Sequence, residues 1–535
     1  MKKIKVFALL ATLFVGIFSN LFTPVVSAEE TSATVTIHKL QGKTGPIVNT
    51  GNVLEGYNAS DFLGGITYNV YDVTDEYHAK YNEVYTPTTA KAAAVAARQY
   101  VQGTAGHAPK FKDTTDTDYV ATLKGTQTTA TVETATELVP KGAARFTLPK
   151  KSGKSGDKDA VYVFVEQPKT GITKAEENLV LSFPVYELSE DGKSYTDKEL
   201  TAIHLYPKNT TETIKPVKEI TNPNPDTDGR NNYNIGQDIE FKLSTQIPAN
   251  IGIKEVDGVT PHYNTFGLID IHDTTLAFDK EDDKHQLKVA DTDIVLAKNT
   301  DYTIVVGEPV VEGKETFKVK LTQAGINKLA EQGGKTLEFT YTMKLNAQAV
   351  MDSKNVNKVT VEYGRKEGTF NDVVTTPGNE KEVYTGGYRF RKTDVSTDKP
   401  LAGAEFVVRD AATAGQYLKI DDKTKEISWV KSVTDATIFK TGEDGIVDIK
   451  GLKYGTYYLE ETKAPTDYVK LSEPIKFDVK IDSYKTTTTT PHPVANTPKG
   501  FLPSTGGAGI ILFVALGAAM VGLAGVYFTS RRKDA

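Results

Sequence analysis

The chain has 535 residues, of which 39% are hydrophobic and 25% charged, enough for several folded domains with cores of their own. A formal net charge of -6 argues against a protein held to nucleic acid by phosphate contacts, and no nucleic-acid partner is expected. Cysteine is absent, which excludes disulfides, thiolate nucleophiles and cysteine metal sites, so any covalent staple must be built from other side chains.

In chain order, the sequence opens with a basic MKKIK, an apolar VFALLATLFVGIF and the small-residue site Val26-Ser27-Ala28. This predicts an export signal over residues 1–28 and a mature chain from about Glu29, outside the membrane. ATVTIHKL, ITYNVYDV, DAVYVFVE, QDIEFKLST, KTLEFTYTMKL, NKVTVEYG, AEFVVRD and GTYYLEE then alternate β-branched or aromatic residues with polar ones, between Gly, Asn, Asp and Pro. The pattern predicts an all-β protein of antiparallel, immunoglobulin-like sandwiches. One helical insertion is expected, TTAKAAAVAARQYVQG, capped by Thr88 or Thr89 and stopped by Gly103. Joints at YPKNTTETIKPV (from Tyr206) and GNEKEVYTGGYRF (from Gly378) divide the chain into three sandwiches, 29–209, 210–383 and 384–498. A Thr/Pro-rich strand and stalk is expected from Thr486 to Gly500, where TTTTTP also reads as a low-complexity spacer. The last stretch, 499–535, holds Leu502-Pro503-Ser504-Thr505-Gly506 and an apolar run from about Ala508 to Phe528, long enough to cross a bilayer. Arg531, Arg532 and Lys533 follow it and should stay cytoplasmic.

The pentapeptide, the span and the basic tail together resemble the cell-wall sorting signal of Gram-positive surface proteins. The resemblance implies that sortase, a cysteine transpeptidase, cuts between Thr505 and Gly506 and passes the Thr carboxyl through a thioester to an amine. Lys208 in IHLYPKN resembles the acceptor of the pilin motif in sortase-assembled pili, which takes the threonine carbonyl of the next subunit. Glu199 and Leu200 stand where that motif often carries Trp. Pro207 should hold the strand extended and remove one backbone donor, letting Lys208 stand clear of the sheet.

YYLEETKAPTDY, Tyr457 to Tyr468, resembles the E-box of collagen-adhesin B-type domains and pilins, with Asp467 in place of the usual Gly. This implies an intramolecular isopeptide bond between Lys392 of FRKTD and Asn496 of VANTP, with Glu461 as the acid. The middle domain resembles the A-type relative of that fold and offers Lys218, with Lys215 as a rival, and Asn357. Its acid is expected at Asp273, followed by Thr274, in preference to Asp270. The first domain offers Lys39, Glu166 and Asn209 in the same order. Burial should push the lysine towards its neutral, nucleophilic form and the carboxyl towards its protonated form. The acid then polarises the Asn carbonyl and shuttles a proton to the departing ammonia.

The chain as a whole resembles the major, or backbone, pilins of streptococci and their relatives. That implies a covalently polymerised structural subunit, not an enzyme, exported and anchored to peptidoglycan, with Thr505 of one copy joined to Lys208 of the next. The implied partners are pilus-class and housekeeping sortases, further copies of itself, minor pilins, peptidoglycan, and host surface or matrix proteins in adhesion and virulence. A wall-anchored monomeric adhesin or a minor pilin would share every feature except a working Lys208. No metal or cofactor is expected. DKEDDK, Asp279 to Lys284, lacks the spaced ligands and Gly of an EF-hand loop, and the eight histidines show no HExxH.

Overall fold

The computed structural model describes residues 31–43, 47–131, 140–173, 177–189 and 194–500, and the backbone of a last helix, Ala508–Arg531. The expected export signal, the pentapeptide Leu502–Gly506, and Arg532 and Lys533 lie outside the described residues. Contacts divide the chain into two units. One runs to Glu212 and includes Ile253–His262; the other holds the remainder from Thr213. The protein is all-β, with a few helices among many strands.

In the first unit, strand Ser32–His38 lies between Ala202–Leu205, parallel to it, and Ala143–Pro149, antiparallel. A second sheet orders Leu179–Ser182, Val161–Glu166, Thr67–Asp72 and Thr122–Thr128. Val35, Ile37, Tyr68, Val70, Phe146, Tyr162 and Phe164 form the core between the sheets. Val161, Val163 and Val165 point the other way, into a second cluster with Val101 and Phe111. Strand Val161–Glu166 is therefore buried at every position, which is why VYVFVE lacks alternation. The expected helix is Ala90–Gln102, which buries Ala93, Ala97 and Val101 along one face and ends at Gly103, φ +63. A second helix, Thr74–Val84, was not expected; Asp75 and Glu76 in its first turn suit the helix dipole.

The second unit contains two sandwiches. In the first, Val217–Ile220, Asp238–Gln246 and Thr336–Leu345 lie in one sheet. They face a sheet in which Thr265–Asp273 sits between Lys314–Leu321 and Asn355–Gly364, with Val374–Tyr384 beyond. The other sandwich packs a three-stranded sheet, Ile446–Leu452, Gly386–Asp394 and His492–Asn496, on one containing Glu405–Arg409 and Gly455–Lys463. Backbone and side-chain bonds tie the two sandwiches together: Ile235 N–H donates to the Gly451 carbonyl at 2.9 Å, and Lys453 and Tyr454 N–H donate to Asn234 and Asn232.

The threonine tract is not a stalk. Ser483–Thr489 is a short helix, and His492–Asn496 is an integral strand. Thr487 and Thr488 hydroxyls donate to the carbonyls of Ser483 and Tyr484, one turn back. Asp352 accepts the helix's leading N–H groups, from Tyr484 at 2.8 Å and Lys485 at 3.0 Å. The closing helix Ala508–Arg531 has 24 residues and carries the apolar run. Taken over fully described residues, no helix is long and apolar enough to cross a membrane; several side chains at both ends of this one lie outside them.

Candidate functional site

Strand alternation aims Lys218 and Lys392 into the cores of their sandwiches, and Lys39 lies between strands Ser32–His38 and Leu40–Gln41. Ile214, Pro216 and Lys218 are buried, whereas Lys215 is exposed, so of the two lysines it is Lys218 that faces the core. Phe390 and Lys392 point inwards in the same way, and Lys39 is fully buried. Each amine sits near an aromatic ring: Lys39 near Tyr68, Lys218 near Phe241 and Tyr341, Lys392 near Phe406.

In the middle sandwich Lys218 Nζ is 2.5 Å from Asp270 Oδ2 and donates to Asn357 Oδ1. Tyr341 hydroxyl donates to Asp270, and Asn357 Nδ2 donates back to that hydroxyl at 3.3 Å. The expected acid, Asp273, is not part of this cluster. It lies at the strand end, where it pairs with Lys314 and accepts the Val356 N–H at 2.6 Å. The period of two explains the difference: Asp270 and His272 face the core, and Asp273 faces away.

Burial, opposed by Asp270, brings the Lys218 amine down to about 8. Burial pushes the Asp270 carboxyl up, but the Lys218 charge and the His272 hydrogen bond outweigh it and hold the carboxyl below its ordinary value. The carboxyl therefore rests ionised beside the charged Lys218, not protonated as burial alone suggested. The tyrosine hydroxyl is held well above its usual range by burial and by Asp270, so it remains a donor.

In the third sandwich Lys392 Nζ donates to Asn496 Oδ1 and lies 3.5 Å from Glu461 Oε1. Asn496 Nδ2 donates to both Glu461 oxygens, at 2.9 and 3.1 Å, and Glu461 also accepts the Leu471 N–H. Burial lowers the Lys392 amine against the opposing Glu461 charge. In the first unit Lys39 Nζ lies 2.6 Å from Glu166 Oε2, Tyr68 hydroxyl donates to the same oxygen at 3.2 Å, and Asn209 Nδ2 donates to Oε1. Each sandwich thus holds a lysine nitrogen, a carboxyl and an asparagine amide in one sealed pocket, the reactants and proton carrier for amide exchange.

Lys208 is half-buried rather than clear of the sheet. It pairs in parallel with Leu40, and Asn209 pairs with Gln41; this short ladder is what delivers Asn209 to Glu166 while alternation turns Lys208 away. Next to it Tyr206 stacks on His38 at 4.6 Å, and His38 Nε2 lies 2.8 Å from His204 Nδ1. Burial, His204 and Arg145 push the His38 imidazole down to about 4. Sequence reasoning missed His38, His204 and Tyr206, as it missed Tyr68, Tyr341 and His272; His272 lies two residues from Asp270, and Tyr206 and His204 two and four from Lys208, a spacing that was available as a signal, whereas His38, Tyr68 and Tyr341 offered none. Within DKEDDK, Lys284 pairs with Asp238, and Asp282 accepts from Thr342. Among the described residues no three His, Asp or Glu side chains group so as to hold a metal ion.

Residues 30–210 match the family described as Gram-positive pilin subunit D1, N-terminal domain. Residues 386–492 match a prealbumin-like fold domain, and 496–535 match the LPXTG cell wall anchor motif. The fimbrial subunit type 1 of Actinomyces viscosus is 26% identical over 377 residues, covering 62% of this chain and 66% of that protein. The trypsin-resistant surface T6 protein of Streptococcus pyogenes serotype M6 is 27% identical over 266 residues, covering 36% of this chain. The chain spans about half of that second relative's length, 48%. The full-length RrgB pilus protein of Streptococcus pneumoniae shares the fold, with a TM-score of 0.54 at 20% identity over 89% of this chain and 99% of that one.

Proposed function

We propose, from the premise that this chain belongs to the Gram-positive pilins that carry an LPXTG cell wall anchor, that it is a covalently polymerised backbone subunit. Sortase would join the Thr505 carboxyl of one copy to the Lys208 amine of the next, releasing the residues from Gly506 onwards. Lys392–Asn496, Lys218–Asn357 and Lys39–Asn209 would close as internal isopeptide bonds, each forming one Nζ–Cγ amide and expelling one ammonia. The observation that supports this most directly is the recurrence of one sealed lysine–carboxyl–asparagine cluster per sandwich, with Lys208 beside the asparagine of the first.

A surface extract boiled in detergent and blotted for this protein tests the reading. A ladder of high mass is expected, collapsing to monomer in Lys208→Arg, whose guanidinium offers no comparable nucleophile. A single monomer band from the wild type would overturn the polymer and favour the wall-anchored monomer. Adhesion to host surfaces, minor pilins and the identity of the sortases rest on the family resemblance.

A further inference from the structure

The three pockets differ in how the acid reaches the nitrogen that must leave. Asn496 Nδ2 donates to both Glu461 oxygens, at 2.9 and 3.1 Å, and Asn209 Nδ2 donates directly to Glu166 Oε1. Asp270 is one methylene shorter than these glutamates, and Asn357 Nδ2 makes no hydrogen bond to it. That nitrogen donates instead to the Tyr341 hydroxyl at 3.3 Å and to Met343 Sδ at 3.2 Å. The same hydroxyl donates to Asp270 Oδ2, the oxygen that Lys218 Nζ approaches at 2.5 Å. His272 Nδ1 lies 2.7 Å from the other carboxyl oxygen, which leaves Oδ2 turned to the reactants. Tyr341 comes from the opposite sheet and is 2% exposed, with its ring stacked on Phe241 at 5.5 Å and on Phe339 at 5.4 Å. That packing holds the hydroxyl in the gap left by the shorter acid.

We propose that Tyr341 is a catalytic residue of the middle sandwich, its hydroxyl carrying a proton from Asp270 Oδ2 to Asn357 Nδ2 as the Lys218–Asn357 amide forms. The proposal rests on the isopeptide reading of this domain. Lys218 first hands one proton to Asp270 Oδ2, and the neutral amine attacks Asn357 Cγ. While the amide is planar, its nitrogen lone pair is spread into the carbonyl, so Nδ2 can only donate to the hydroxyl. Once Cγ is tetrahedral the lone pair belongs to Nδ2, and the direction of that hydrogen bond reverses. The hydroxyl turns its proton to Nδ2 and takes the Asp270 proton in its place, so the tyrosine is neutral before and after. The Cγ–Nδ2 bond then breaks. The new amide nitrogen gives its surplus proton to Asp270, from which the departing ammonia takes it as ammonium. One Nζ–Cγ bond replaces one Cγ–Nδ2 bond; of the three lysine protons, one stays on the amide and two leave with the ammonia. In the other two sandwiches the glutamate touches the leaving nitrogen and makes the same transfer itself.

The test follows bond closure in newly synthesised full-length chain. Samples from a cell-free translation are quenched in acid at intervals, digested, and the cross-linked peptides counted by mass spectrometry. Lys392–Asn496 serves as an internal clock within each molecule. Tyr341→Phe keeps the stacked ring and removes the hydroxyl, and should slow closure of Lys218–Asn357 at least about tenfold while the clock keeps its rate. Tyr68→Phe is the matched control: Tyr68 also donates to its acid, but Glu166 reaches Asn209 Nδ2 unaided, so Lys39–Asn209 should close at nearly the wild-type rate. Mono- and difluorotyrosine, placed at position 341 during translation, keep the ring and the hydrogen bonds but make the hydroxyl a stronger acid. Closure should quicken along that series, which a purely structural hydroxyl would not do. Closure of Tyr341→Phe at the wild-type rate, or a rate indifferent to fluorination, would overturn the proposal, and so would equal slowing of Lys39–Asn209 by Tyr68→Phe. If wild type never links Lys218 to Asn357, the isopeptide reading of this domain fails instead, and that outcome is separately visible.

Discussion

Lys218 Nζ lies 2.5 Å from Asp270 Oδ2, with both side chains wholly excluded from solvent, while Asp273 three residues on is partly exposed and bound to Lys314. The two aspartates should therefore behave oppositely. Asp270→Asn is expected to abolish the middle-domain ammonia loss in the intact mass and to leave a buried lysine without its counter-charge, destabilising the sandwich by roughly 3–5 kcal/mol. Asp273→Asn should keep the mass loss and cost about 1 kcal/mol or less, as exposed pairs do. Equal effects from both would contradict the geometry.

In the third sandwich the predicted bond closes a loop between residues 104 apart. By analogy with a disulfide loop of that length, such a bond would stabilise the fold by on the order of 4–5 kcal/mol. Glu461→Ala should remove one ammonia loss, leave the other clusters intact, and lower the melting transition of this sandwich in calorimetry. An unchanged transition together with an unchanged mass would remove Glu461 from the chemistry.

His38 gives the first unit a distinct acid response. Its folded value of about 4 lies below the ordinary 6.5, so the unfolded chain binds the proton first. Its contribution is complete above about 6.5 and is lost as pH falls to about 4. His38→Phe keeps a ring against Tyr206 but cannot titrate, so the melting temperature of this unit should fall less steeply across that interval than in wild type. Parallel slopes would refute the assignment.

Asp352 has the opposite sign. Burial raises its carboxyl above the ordinary range, despite the N–H donors of Tyr484 and Lys485. Its contribution is full at acid pH and is lost as pH rises through the raised value. Asp352→Asn keeps an acceptor for both N–H groups and tolerates the left-handed backbone there, φ +57. Relative to wild type, the variant should gain stability towards neutral pH and lose that advantage in acid, read from paired melting curves.

Much of this was legible from residues alone. Inward lysines at 39, 218 and 392 and asparagines at 209, 357 and 496 lie where motif and order placed them, because short alternating strands fix a side chain's face by parity. Asp273 was misplaced because the strand Thr265–Asp273 is central and covered on both sides. Ile269 is buried alongside Leu268 and Asp270, so hydrophobicity could not reveal which parity faces the partner sheet. The threonine tract was expected as a strand and stalk, or equally a spacer, on its low-complexity composition. The helix there has its second N–H, from Tyr484, accepted by a carboxylate 132 residues away, a contact no local pattern encodes.

The first and last strands of the third sandwich, Gly386–Asp394 and His492–Asn496, run side by side in the same direction, Phe390 beside His492 and Asp394 beside Asn496. A tug on the two ends of this domain would therefore act at opposite ends of neighbouring strands. Such a load shears the whole ladder at once instead of unzipping it rung by rung. Lys392 and Asn496 meet at the far end of that ladder, so a bond between them would hand the strain from one strand to the other before any rung had to give.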